Sequence, residues 1–574
     1  MGLLLPSWNL IVLYILVGAG IQIIGLVSGK LNKKIGTTCE IFLALLSIGF
    51  VYYKFSFMDG FIYLAFISSG YFLAISLTTG NEKRIEIEKE LHQIKVEEIT
   101  LARNFMRIAT DLLMTGLVVF GGIMFYIFGP EYSPLKYIIV FGLVSTLTEV
   151  IKRIGSYATV KIFFDVEEKQ LYLTSHFESR KIPIEDLEEV KLETNVDLLK
   201  LHPLFTMFSS NTDWTTNFQK VLRLSVPGET IYLTILEPVK WKRTFEDMTK
   251  VDESVKEPQV VLPFWHRKNV KRLIGKLYFA TTVKGISAYT GLLLLLYYFE
   301  VAPWIMVTVL LAYWLFNLYI SDQVLKVAMD ATETKNPQLI QISQRIFEKA
   351  GVPNIRVYET ESSEYNGLAT GMNIGKSMVT LTTATLKLPI EAIEGILAHE
   401  AIHVKKRDVL WGQLWRLGYL LIVLVVVLGI QKYIKNIDEY SIQIFLLIWF
   451  LMILFPIIQS FCSQWMEVRA DHLGASLLDG GSEQMSNSLI ALAKKQDEAI
   501  TKSLSYSTVL EEEKDMAKSS IERDSLLWRF IEFQFMLHPP MYWRIQSLKE
   551  YKGGWGRCIR NRWMLDRVKE SVLR

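Results

Sequence analysis

Residues 395–408 read GILAHEAIHVKKRD, and within them His399, Glu400 and His403 form an HExxH pair. At about 100° per residue, four residues turn a side chain only about 40° round a helix, so both imidazoles can reach one metal ion. Glu400 points about 100° away from His399 and about 60° from His403. That is too far round to bind with them, but close enough to act on a water beside the metal. The spacing therefore implies the geometry of a zinc peptidase. With eight histidines in 574 residues, chance alone yields such a motif about one time in a hundred, so a third ligand is the necessary complement.

Zinc held by two imidazoles, with one position open to water, takes one more His, Glu or Asp. WMEVRADHLGA at 465–475 offers Glu467, followed one helical turn later by Asp471. With Glu467 on the metal, Asp471 is placed to hydrogen-bond a ligating imidazole and fix its tautomer. His472 is the competing candidate, about 140° round the helix from Glu467. The spacing favours Glu467.

The rest of the composition places this site in a membrane. Hydrophobic residues make up 51% of the chain, mean hydropathy is +0.26, and apolar stretches of bilayer-spanning length recur. Nine spans are expected, at residues 8–28, 38–56, 60–79, 111–130, 136–151, 278–299, 302–321, 415–431 and 441–461. The first lacks a basic leader and is too long for a cleavable signal, so it reads as a retained span. Basic residues follow alternate spans: Lys30, Lys33 and Lys34, then Lys83 and Arg84, then Lys152 and Arg153, then Lys326. This parity puts the N-terminus outside and the HExxH segment, Glu467 and the C-terminus on the cytoplasmic side. Lys432 and Lys435 in the last outer loop are one mild violation. His403 and Glu467 can then meet only if the last two spans form a hairpin that returns to the same face.

Upstream of the motif, residues 353–389 read as a strand near Ile355–Glu359, a polar turn, and a β-branched strand from Ser377 to Leu386, with Pro389 opening the motif helix. An edge role for the second strand would let it pair with an extended peptide. This block resembles the HtpX-like membrane metallopeptidases, relatives of the CAAX prenyl-protein endopeptidases. NGLATG at 366–371 is similar to that family's NAFATG, EVRAD at 467–471 to its third-ligand motif, and LHPPMYWRIQSL from Leu537 to its HPPxxxRIxxL element. Gly367 and Leu368 depart from the usual Ala-Phe, which bears on the shape of the cleft and not on the chemistry.

The resemblance covers about residues 322–550 and implies a gluzincin-type α/β metallopeptidase domain with an inserted transmembrane hairpin. It implies one Zn2+ held by His399, His403 and Glu467, with Glu400 as general base and Asp471 behind a ligand. His538 and Arg544 are implied to stabilise the oxyanion, and Asn366, Gly367 and Ala369 to hold substrate backbone. The implied substrates are membrane proteins or membrane-associated peptides, with lipidated peptides second.

The expected whole is a polytopic α-helical membrane protein. Residues 1–155 carry about five spans, 156–272 form a small β-rich cytoplasmic domain, 273–321 are a transmembrane hairpin, 322–550 the peptidase domain and 551–574 a basic cytoplasmic tail. The β-rich assignment rests on the alternating runs VKIFFDV, KQLYLTS, VLRLSV and TIYLTIL. RKIPIEDLEEVKLE, from Arg180, faintly resembles bacterial pleckstrin-homology-like domains, which implies regulation, lipid docking or substrate selection, with a purely structural insert as the equal alternative. Residues 81–110, of balanced charge, read as a solvated helical connector. Cys39, Cys462 and Cys558 lie too far apart in sequence to suggest a disulfide framework or a thiolate zinc cage. A net charge of +3 gives no case for nucleic acid. Two other classes are weighed: a catalytically silent membrane scaffold, and a transporter with an accidental motif. The latter should carry ionisable residues within its spans, which are few here.

Overall fold

The computed structural model describes residues 6–573 except 56, 79–80, 129–134, 203–204, 206–210, 250–258, 264, 285–291, 293–294, 297–298, 371–376, 435–438, 510–517 and 552–554. Three apolar helices, Trp8–Gly29, Lys33–Lys54 and Phe57–Thr78, begin the chain. The first and third touch backbone to backbone. A Cβ on Gly18 would lie 1.8 Å from the Ile67 carbonyl oxygen, and one on Gly70 1.8 Å from that of Ile15. Only glycine permits that approach, the usual means by which membrane helices associate.

Among the described residues five helices are long and apolar enough to cross a membrane. They coincide with the expected spans at 8–28, 38–56, 60–79, 111–130 and 302–321. The expected spans at 136–151, 415–431 and 441–461 lie on helices, Leu135–Thr159, Asp408–Tyr433 and Ser441–Ala475, with several side chains outside the description. The span at 278–299 falls largely outside the described residues.

The β-rich region holds two four-stranded sheets. One has the order β1-β2-β3-β4, formed by Glu97–Ile99, Lys161–Asp165, Gln170–Thr174 and Ser179–Pro183; the other has the order β5-β7-β8-β6, formed by Glu189–Glu193, Val221–Val226, Glu229–Leu233 and Asn211–Trp214. Their apolar faces close on one core with Trp241 and Phe245 of the helix Pro238–Met248. β1 corrects the reading of 81–110 as one solvated connector. Helix covers Asn81–Leu91 and resumes at Phe105, and between them Glu97–Ile99 pairs with β2 because Ile99 supplies a buried side chain to the core.

In the region around the HExxH motif the sheet order is β11-β12-β10-β9, from Gly367–Thr370, Met378–Thr382, Arg356–Thr360 and Thr332–Glu333. Here too the expectation is corrected. Met378–Thr382 is wholly buried and paired on both sides, so the edge on the side of the motif helix belongs to Gly367–Thr370, a segment expected to be a turn. The motif helix Ile390–Lys406 packs beneath this sheet. The helices Asp408–Tyr433 and Ser441–Ala475 leave it and return as an antiparallel pair, the second running unbroken through Pro456 to Glu467. The expected basic tail is a packed helix, Arg557–Val572, because Ile559 and Trp563 bury against Phe533 and Val468. Arg567, read as a tail charge, is itself buried and donates to Gln464 Oε1 at 2.7 Å.

Candidate metal centre

The motif helix and the returning helix bring three donors to one point. His403 Nε2 lies 3.0 Å from His399 Nε2. The two Glu467 carboxylate oxygens lie 3.3 Å from His399 Nε2 and from His403 Nε2. Tetrahedral bonds of 2.0–2.1 Å require neighbouring ligand atoms to stand about 3.3 Å apart, so this donor set fits a zinc ion. His472 is turned away from the cluster, with Nε2 3.4 Å from the Ser547 hydroxyl. The competing third ligand thus lies elsewhere.

Each imidazole passes its other nitrogen to a carboxylate, the arrangement that orients a ligating histidine. His399 Nδ1 lies 2.9 Å from Asp471 Oδ1, and His403 Nδ1 lies 2.8 Å from Asp408 Oδ2. Asp408 is a site residue whose role the spacing did not reveal. It comes within reach because Arg407, between the two helices, adopts a left-handed backbone with φ 56° and folds the chain back. A non-glycine residue there costs on the order of 1–3 kcal/mol, a strain typical of functional sites. Arg469, two residues beyond Glu467, pairs with the other oxygen of Asp408.

Glu400 is buried beside the ligands, and its Oε2 accepts the backbone N–H of Ala369 at 2.6 Å. The edge strand thus lies directly over the carboxylate, and Gly367 is what lets it come so close. A Cβ there would stand 2.8 Å from Ile396 Cγ2 and 3.4 Å from Glu400 Oε1. The chain-specific Gly is accounted for by that contact. Asn366 is fixed through its backbone, its N–H donating to the Thr385 hydroxyl at 2.8 Å. Its side-chain amide makes no hydrogen bond among the described residues.

His538 and Arg544 converge on the same cluster in different ways. The His538 ring is 65% exposed and its Nδ1 stands 2.9 Å from Glu467 Oε2, at the rim. Arg544 is buried and forks onto Asp471, Nε to Oδ2 at 2.8 Å and Nη2 to Oδ1 at 2.7 Å, with Glu467 at 3.6 Å. Both arms of the fork are spent on a carboxylate, so the direct oxyanion contact expected of Arg544 is not the one it makes here.

Charge in this pocket is balanced by contact. Burial opposes ionisation of Glu467, but His538, His399 and His403 hold its carboxyl well below the ordinary range. Burial likewise opposes Asp471, and Arg544 with His399 overrides it in the same direction. For the imidazoles burial favours the neutral form. Asp471 and Glu467 nevertheless raise His399, and Asp408 and Glu467 raise His403 further.

Comparison with known proteins bears on two stretches. Residues 333–552 match Peptidase family M48, and residues 161–249 match a family described as Bacterial PH domain. The chain is 41% identical over 105 residues to the Protease HtpX homolog of Pelotomaculum thermopropionicum, covering 17% of this chain and 36% of that protein. It is 36% identical over 84 residues to that of Thermodesulfovibrio yellowstonii, 14% of this chain and 30% of the relative. For the Methanocaldococcus jannaschii homolog the figures are 35% over 96 residues, 16% and 34%. The matched region spans about a third of the length of these relatives.

Proposed function

We propose, from the premise that residues 333–552 are an HtpX-like domain of peptidase family M48, that the chain is a membrane-embedded zinc-dependent endopeptidase. It acts on membrane proteins or membrane-associated peptides at the cytoplasmic face. The observation that carries this is the cluster of His399, His403 and Glu467, whose ligand atoms all lie within 4.8 Å of one another, with Glu400 at its side.

Bound zinc would supply a Lewis acid for water and for the scissile carbonyl. The chain's own residues do the rest. An extended substrate adds to the free edge of Gly367–Thr370 through backbone hydrogen bonds, which give affinity without reading side chains. Glu400, steered by the Ala369 amide, takes the proton of the attacking water and returns it to the leaving amine. His538, exposed at the rim, offers a donor to the developing oxyanion. Arg544 acts through Asp471 by holding the carboxylate that orients His399. Because the returning ligand helix continues out of the apolar hairpin, juxtamembrane segments of a substrate lie within reach.

Metal analysis of the detergent-purified protein tests the chemistry. About one zinc per chain, lost in Glu467→Ala, is expected; no zinc in either protein sinks the peptidase reading and leaves a silent scaffold. Orientation is tested with a membrane-impermeant thiol probe on intact cells. Cysteine placed at Asp59 should label, whereas cysteine at Glu246 or Ser482 should label only after the membrane is opened. Outside labelling at Ser482 moves the site to the other compartment.

A further inference from the structure

The β-rich domain is bolted to the peptidase domain at two places. On one side Tyr506, the penultimate residue of the helix Gly481–Ser507, is buried in the β-rich core, and its hydroxyl donates to Asp186 at 3.0 Å. Lys502 reaches the same carboxylate at 2.7 Å, and Lys387 pairs with Glu188 at 2.6 Å. On the other side Glu361, the first residue after β10, leaves the peptidase sheet and meets three cations of the β-rich domain. Lys200 Nζ lies at 2.7 Å, Arg223 Nη1 at 3.0 Å and Lys191 Nζ at 3.8 Å. Burial alone would make Glu361 harder to ionise, but Lys200 and Arg223 hold its carboxyl far below the ordinary range. Around this contact lies a cavity of about 400 Å³ whose walls come from both domains, including Asn211, Thr230, Thr332 and Thr383.

The place of Glu361 in the chain gives the contact its consequence. Only five residues, 362–366, separate it from the edge strand whose Ala369 amide holds Glu400. That short run is tied down along its length. The Ser362 N–H donates to the Thr383 hydroxyl at 3.1 Å, Gln496 Nε2 donates to the Tyr365 carbonyl at 2.7 Å, and the Asn366 N–H donates to the Thr385 hydroxyl. A displacement of Glu361 therefore has little slack in which to dissipate before it reaches Gly367. Arg223 makes the anchor stiff. Its side chain is 6% exposed, and its other acidic neighbours, Glu189 and Glu193, stand farther off, at 3.6 and 3.8 Å. Removing the Glu361 charge would leave a buried guanidinium poorly compensated, which is costly.

We propose that Glu361 is a positioning residue for the substrate-binding edge strand, held by Lys191, Lys200 and Arg223 so that the β-rich domain sets where that strand lies over Glu400 and the metal ligands. This assigns the β-rich domain a part in building the cleft itself. It rests on the peptidase reading above for its functional meaning, but the mechanical coupling exists whether or not the chain hydrolyses peptides.

The test compares Glu361→Gln, Lys200→Gln and the double variant in the full-length, zinc-loaded protein, with amide hydrogen exchange at residues 367–370 and peptide kinetics as readouts. Each single change should speed exchange in that strand and raise KM for an extended peptide on the order of tenfold, as for a typical coupling between sites, while kcat stays within about twofold. The double variant should be no worse than the poorer single one, because both remove the same contact. Unchanged exchange and KM in both single variants overturns the proposal. So do fully additive effects, or faster exchange spread evenly over the peptidase domain, which marks general loosening. Faster exchange at 367–370 in a protein that hydrolyses nothing supports the positioning and counts against the peptidase reading alone.

Discussion

His399 and His403 stand one turn apart on the same helix, and each hands its Nδ1 to a carboxylate, yet the two braces are built differently. On the His399 side the carboxylate is Asp471, one turn from the ligand Glu467, fully buried and gripped by both arms of Arg544. On the His403 side it is Asp408, delivered by a left-handed residue at the helix break and backed by Arg469, which is 18% exposed. One brace is a regular spacing within a single helix locked by a distant arginine. The other is a local bend locked by a neighbour on the ligand helix. The difference predicts unequal sensitivity: the Asp471–Arg544 fork, buried at both ends, should matter more to folding and to the metal than the Asp408–Arg469 pair, whose arginine is partly exposed.

Glu400 belongs to neither brace and sets the largest effect. Glu400→Gln keeps the shape and removes the base, so peptide hydrolysis should fall by about 10⁴-fold or more with zinc content unchanged. Normal turnover by that variant removes Glu400 from the mechanism, and loss of zinc would tie it to the braces after all. Next come the two arginines. Arg544→Ala leaves Asp471 buried without its partner and should cost about 3–5 kcal/mol of stability, with weaker zinc binding. Arg469→Ala should cost about 1–2 kcal/mol. Denaturant unfolding together with zinc titration checks both. Equal losses break the comparison, and a fall in kcat at unchanged zinc affinity for Arg544→Ala would return that residue to the oxyanion.

The remaining effects concern the carboxylates themselves and, smallest, pH. Asp471→Asn and Asp408→Asn should each lower zinc affinity by roughly 10 to 100-fold, the usual cost of losing such a partner. In the metal-free protein burial pushes both imidazoles toward neutrality, but the carboxylates dominate and hold them above their ordinary value of 6.5. A raised value means that the charged imidazoles stabilise the metal-free fold fully below 6.5 and cease to do so as pH climbs through the raised values. Zinc needs the neutral rings, so its affinity should decline on acidification from a pH above 6.5. Asp408→Asn removes the largest support of His403, and the decline should then begin at lower pH. A pH profile of zinc binding that is identical in the two proteins would show that Asp408 does not govern His403.

The HExxH pair, Glu467 and Asp471 were legible because each relation is a spacing within one helix, where side-chain azimuth follows from residue number. The hairpin that unites them was legible from two apolar stretches between the halves of the site. Residues 367–370 were not legible as the free edge. Asn366 and Gly367 at their start suit a turn equally well, and only pairing with Met378–Thr382 decides that 367–370 form a strand. Arg544 was found, but its partner was not, since nothing local says which of several acidic groups a buried guanidinium will meet. Asp408 lay five residues from His403, a separation that in a continuous helix would point it elsewhere.

By itself, then, the sequence determined the chemistry a helix can present: two imidazoles on one face, a base beside them, a carboxylate ligand with a second carboxylate one turn on, and the apolar lengths that place them at a membrane. Tertiary structure alone decided which backbone amide touches Glu400, which arginine supports which carboxylate, and that Glu361 is seized by three cations from the β-rich domain. The division has a physical cause. Helical azimuth is fixed by local geometry every 3.6 residues, whereas the partner of a buried charge is settled by whichever distant segment packing brings within about 3 Å and strips of water.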